Sequence, residues 1–166
     1  MKIKIDDIVD QLEVSFDTGN SYLNKVTGEF YYMSDDIFGY LDGAEEGDTF
    51  EDLPDWERDL VTVAKQINET DNYVRLPSKF ELNEYRMMEK FCLSLDDERL
   101  RDEMYYSIKG SGAFRRFKDN IYRLGIEKDW FEFKSNELRT IAIDWCKNNN
   151  LEFDDKMYRR LTSHSS

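Results

Sequence analysis

Ile5, Ile8, Val9 and Leu12 recur at i, i+3, i+4 and i+7, the spacing that lines one face of a helix. Asp6 and Asp7 stand near its start, where the helix dipole favours acids. From Ser21 to Ser34 the chain is rich in Tyr and Phe and is broken at Thr27-Gly28, which predicts a β-hairpin. An acidic stretch follows with Gly39, Gly43 and Gly47, and it reads as a loop. At Asp52-Leu53-Pro54 an acid precedes a proline, the order expected at a helix start. Trp56, Leu60, Val63, Ala64 and Ile67 give that helix an apolar stripe. Pro77 holds the residues before it, 72–76, extended.

Four more stripes follow. Leu82, Tyr85, Met88, Phe91, Cys92 and Leu95 form the first, and Leu100, Met104, Tyr105 and Ile108 the second. Phe114, Phe117, Ile121 and Leu124 form the third, and Phe131, Leu138, Ile141, Ala142 and Trp145 the fourth. Short connections between them favour close packing of neighbouring helices. The expected fold is α+β and mainly α: a short N-terminal helix and a β-hairpin, then a five-helix packed bundle. One domain is expected over residues 1–154, with the N-terminal helix, hairpin and acidic loop in 1–52 and the helical part in 53–150. Residues 155–166 are polar and read as a flexible tail.

Composition supports a packed core. Aromatic residues make up 14% of the 166 residues, and Pro54 and Pro77 are the only prolines. No apolar run approaches the roughly 20 residues that a membrane span needs, so no membrane partner is expected. Lys2 and Lys4 are followed by no apolar stretch, so residues 1–10 do not read as an export signal, and a cytoplasmic location is expected. Cys92 and Cys146 both fall on apolar stripes and read as buried, reduced thiols.

The net charge is −13, and it is unevenly spread. Residues 1–76 hold 19 acids against 6 bases, whereas residues 77–166 hold 17 of each. Residues 35–59 alone hold eleven acids and one base, Arg58. Such a field attracts basic proteins and disfavours direct nucleic-acid binding. Within it Asp42, Glu45, Glu46 and Asp48 are the candidate partner-binding residues. Solubility is the simpler role for the same charges.

One segment runs the other way. From Met104 to Lys118 there is no acid, and four bases occur: Lys109, Arg115, Arg116 and Lys118. Gly110 suits the left-handed end of one helix, Ser111 suits the cap of the next, and Gly112 permits close approach to the backbone. A helix start exposes unpaired N–H groups and partial positive charge. Gly110, Ser111, Gly112, Arg115, Arg116 and Lys118 are therefore candidate anion-binding residues. A helical wheel sets Phe114, Phe117, Ile121 and Leu124 on one face, with Arg116 and Arg123 opposite and Arg115 and Lys118 at the flanks. The competing reading is a tight helix corner whose arginines meet carboxylates of the same chain, Arg115 with Asp119 first among them.

The run from Gly110 through Ser111-Gly112-Ala113-Phe114-Arg115-Arg116-Phe117-Lys118 to Asp119 resembles the signature of the bacterial uncharacterised protein family 0158. Tyr85 to Phe91, Trp130-Phe131-Glu132-Phe133, and the N-terminal helix with its Thr27-Gly28-Glu29 hairpin agree with that resemblance. It covers most of residues 3–148. Ser111 stands where a basic residue is expected, and the acidic stretch from Asp35 is longer than the pattern. The resemblance implies a fold and a bacterial or phage-like setting, and it implies no catalytic residues.

The only histidine is His164, near the end of the chain, which disfavours a positioned imidazole. No P-loop and no dinucleotide fingerprint occur. Asp35, Asp36, Asp42, Glu45, Glu46 and Asp48 do not follow the spacing of a calcium loop. No metal, cofactor or catalytic residue is expected. Three functions remain in view: a non-catalytic binding or regulatory module that takes an anionic ligand or protein at the Gly110 to Lys118 corner, an acidic inhibitor or nucleic-acid mimic acting through residues 35–59, and an enzyme on a phosphorylated small molecule.

Overall fold

A computed structural model of the chain describes residues 2–14 and 19–155. His164 and the expected tail beyond Asp155 lie outside the described residues. The described part divides into two compact units, the first within Met1–Lys79 and Ile143–Ser166, the second Phe80–Ala142.

In the first unit, β1 (Ile3–Lys4) leads directly into α1 (Ile5–Glu13). All four residues of the expected stripe are buried: Ile5, Ile8, Val9 and Leu12. The hairpin forms from β2 (Asn20–Asn24) and β3 (Phe30–Met33), antiparallel, with Tyr22 opposite Tyr31. Its turn places Gly28 at φ +80°, a conformation open to glycine without steric cost. Asn24 secures the turn, its Oδ1 accepting from the backbone N–H groups of Val26 and Thr27 at 2.8 and 3.2 Å.

Residues 35–52 are not all loop. α2 (Asp35–Asp42) occupies the first eight. Asp35 and Asp36 sit in its first turn, favoured by the dipole. Ile37 turns inward into a core with Met33, Val61 and Ala64, against which Phe38 and Leu41 pack. α3 (Asp55–Glu69) supplies Val61 and Ala64, so this helix belongs to the sheet-bearing unit. β4 (Tyr73–Arg75) then pairs antiparallel with β2, giving a sheet in the order β3-β2-β4.

The second unit begins in α4 (Lys79–Leu82) and contains α5 (Glu84–Ser94), α6 (Glu98–Ser107), α7 (Ala113–Arg123) and most of α8 (Glu127–Asn148). Its core is an aromatic cluster. The Phe117 and Trp130 ring centres are 4.8 Å apart, and Phe91 lies 5.4 Å from Trp130 and 5.5 Å from Phe133. Edge-on and tilted contacts of this kind favour rings beyond their buried area. Ion pairs tie α5 to α8, Lys134 to Glu84 at 2.9 Å and Lys90 to Glu137 at 3.4 Å.

From Ile143 onward α8 belongs to the first unit. There the Trp145 indole donates to the Arg75 carbonyl at 2.9 Å. β5 (Phe153–Asp154) pairs in parallel with β1, so Ile3 lies beside Phe153. Cys92 and Cys146 are free and buried. Burial pushes each thiol up to about 11, which keeps both neutral and unreactive at neutral pH. No described helix is long and apolar enough to cross a membrane.

Candidate functional site

The cationic corner is the link between α6 and α7. Ile108 closes α6, and Gly110 and Gly112 both adopt φ +79° as the chain reverses. Gly112, not Ser111, is the N-cap of α7, and it brings no side chain to the first-turn N–H groups. Ser111 instead contributes its carbonyl.

That carbonyl is one of three held by Arg116. Its Nη1 donates to Ser111 O at 2.6 Å, Nη2 to Lys109 O at 2.7 Å and Nε to Ser107 O at 2.7 Å. Ser107 ends α6, where carbonyls lack intrahelical donors and carry partial negative charge, and the carbonyls of Lys109 and Ser111 lie in the link that follows. A planar guanidinium with several donors satisfies them together. A Cβ on Gly112 would lie 3.0 Å from Arg116 Nη1. The glycine thus leaves room for the guanidinium.

Each nitrogen of the Arg116 guanidinium, a candidate anion-binding group in the sequence, thus donates to the chain's own backbone. Lys109 is also engaged. Its Nζ stands 3.8 Å over the Tyr105 ring, and hydrogen bonding to Tyr105 raises the ammonium pKa above the ordinary lysine value. Arg123 pairs with Glu103 at 2.5 Å.

Arg115 and Lys118 differ. Both are exposed, and neither has a hydrogen-bond or ion-pair partner among the described residues. The expected Arg115–Asp119 pair does not form. Phe114 also departs from expectation. Sequence periodicity places it in the core, yet it is 55% exposed, as Tyr122 is 56% exposed. The buried residues of α7 are Ala113, Phe117 and Ile121. The spacing of Phe114, Lys118 and Tyr122 at i, i+4 and i+8 is the available signal for a second face.

In the first unit, Asp42, Glu45, Glu46 and Asp48 all line one open cavity of about 500 Å³. Leu41, Ala44 and Phe50 add apolar surface to it, and Lys65 and Glu69 come from α3. Phe50 holds φ +53°, and its N–H donates to Asp48 Oδ1 at 2.9 Å. No group of three or more His, Cys, Asp or Glu side chains suited to a metal ion occurs among the described residues.

Fold and surface together define a helix-rich α+β protein with an acidic concavity on its sheet-bearing unit and a small cationic face on its helical unit. The chain belongs to the Uncharacterised protein family (UPF0158), whose pattern it matches over residues 1–162. Among curated proteins and among solved structures there is no significant match.

Proposed function

We propose that this protein is a non-catalytic binding module that captures an anionic group on α7. One observation carries the reading. In a chain with 36 acids, Arg115 and Lys118 are exposed and have no side-chain partner among the described residues, one turn apart beside a helix start. The nearby N–H groups and the helix dipole add to the attraction. Arg116 shapes the loop that presents them, and the binding charges are those of its neighbours.

Calorimetric titration with inorganic pyrophosphate tests the reading. The wild type binds, and Arg115→Gln with Lys118→Gln removes the binding while the melting temperature stays put. Equal binding by the two proteins defeats the proposal.

A second reading is favoured by the grouping of Asp42, Glu45, Glu46 and Asp48 around one cavity. In it the acidic unit occupies a basic groove of a partner protein. The same titration with oligolysine in place of pyrophosphate separates the two, because only the second reading expects steep weakening with salt in that arm.

A further inference from the structure

The exposed stripe of α7 holds more than charge. Phe114, Lys118 and Tyr122 fall on successive turns of one face, and Arg115 lies within the same sector, about 100° wide at 3.6 residues per turn. Two cations with no side-chain partner among the described residues therefore stand among two large exposed rings. The rings are not required to close the core, which α7 reaches through Ala113, Phe117 and Ile121. Phe114 is held at a fixed neighbour: its ring centre is 6.4 Å from that of Tyr85, whose hydroxyl donates to Ile108 O at 2.8 Å.

Resting on the anion-binding reading above, we infer that this stripe docks an acidic segment of another polypeptide, one whose carboxylates alternate with apolar side chains. Carboxylates suit the fork of Arg115 and the ammonium of Lys118. Apolar side chains would cover Phe114 and Tyr122, which a small inorganic anion leaves in water. Aromatic and arginine side chains on one face are the usual anchors of a protein interface. Charge complementarity also selects among polymers. Nucleic acid gains affinity by surrendering many phosphate counterions to many cations. This stripe offers two cations, and the chain carries −13. A second copy meeting this stripe through its own would set the same two cations against each other, so like charge opposes that self-association.

Fluorescence anisotropy with a short labelled peptide of alternating Glu and Leu tests this, beside the pyrophosphate titration. The peptide is expected to bind the wild type. Phe114→Ser with Tyr122→Ser should weaken peptide binding about tenfold, the loss of interface anchors, and leave pyrophosphate binding unchanged. Arg115→Gln with Lys118→Gln should remove both. If the double ring variant loses helical circular dichroism, Tyr122→Ser alone carries the comparison. Pyrophosphate binding without peptide binding, or peptide binding indifferent to the rings, overturns the inference and leaves the anion reading standing. Failure of both probes overturns both. Tighter capture of an oligothymidine than of the peptide, or ring-dependent dimerisation in sedimentation, overturns the polypeptide assignment.

Discussion

The α6–α7 corner and the acidic segment 35–59 are both charge runs in the sequence, and the fold spends them differently. Of the four bases at the corner, Arg116 is committed to three backbone carbonyls and Lys109 lies over Tyr105, leaving Arg115 and Lys118. In the acidic run, Asp55 pairs with Arg58 and Asp48 accepts from Phe50, and Asp42, Glu45, Glu46 and Asp48 all remain exposed around a cavity. The difference has a backbone cause. Reversing the chain after α6 leaves carbonyls that want donors, and a nearby arginine meets that need. Asp42 ends α2 and Glu45, Glu46 and Asp48 follow it, where the last carbonyls of the helix offer carboxylates no donor. A cationic run after a helix therefore overstates the charge available to partners, whereas the acidic run does not.

The largest effect that sharpens this contrast comes from neighbouring arginines. Arg116→Ala removes three charge-assisted hydrogen bonds from an exposed loop whose carbonyls can turn to water. The expected loss is about 2 kcal/mol, below the sum for buried bonds. Arg115→Ala should change stability by less than about 0.5 kcal/mol, as for a surface side chain without partners. Urea denaturation of the two variants checks the difference. Equal losses would mean that the corner does not divide its charges between structure and surface.

Glycine gives the next contrast, and here the sign reverses between the regions. Gly112→Ala forces a Cβ onto a residue at φ +79° and brings it to 3.0 Å from Arg116 Nη1. It should destabilise by about 1 kcal/mol. Gly39 lies inside α2, and a methyl group added there would meet nothing within 4 Å. Gly39→Ala should stabilise by about 0.5–1 kcal/mol, since alanine is the better helix former. Thermal melting of both variants reads the two signs. A stabilising Gly112→Ala would show that the corner does not require its left-handed turn.

Much of this fold is legible in the sequence because its signals are local. The stripe at Ile5, Ile8, Val9 and Leu12 forms α1, Thr27-Gly28 forms a hairpin turn, and the aromatic stripes from Tyr85 to Trp145 form α5 to α8. What escapes depends on distant partners or on a choice between neighbours. β1 and β5 are two-residue strands whose pairing joins Ile3 to Phe153, and neither carries a pattern alone. In α2 the glycines suggest a loop, and burial of Ile37 beside Val61 decides otherwise. At the corner the wheel separates Arg116 from Arg115 correctly, setting Arg116 opposite Phe114. It cannot reveal that this side of α7 faces the carbonyls at the end of α6. Nor can a single apolar period tell Phe114 from Phe117, because the aromatic rings look alike until one face is covered.

The smallest effect is expected on the acidic side, and its smallness is informative. Asp42→Asn, Glu45→Gln, Glu46→Gln and Asp48→Asn each replace an exposed carboxylate by its neutral isostere, and the amide introduced by Asp48→Asn keeps an oxygen for the Phe50 N–H. Each change should move stability by less than about 0.5 kcal/mol. The sign should be stabilising, because eleven acids within residues 35–59 repel one another. Salt separates this from a packing effect. Added salt screens exposed charges, so it should raise the melting temperature of the wild type more than that of the fourfold variant. If the four carboxylates instead hold the loop in place, the fourfold variant melts lower at every salt concentration. The cavity would then be a structural element of the first unit, and its charge would not be free for a basic partner.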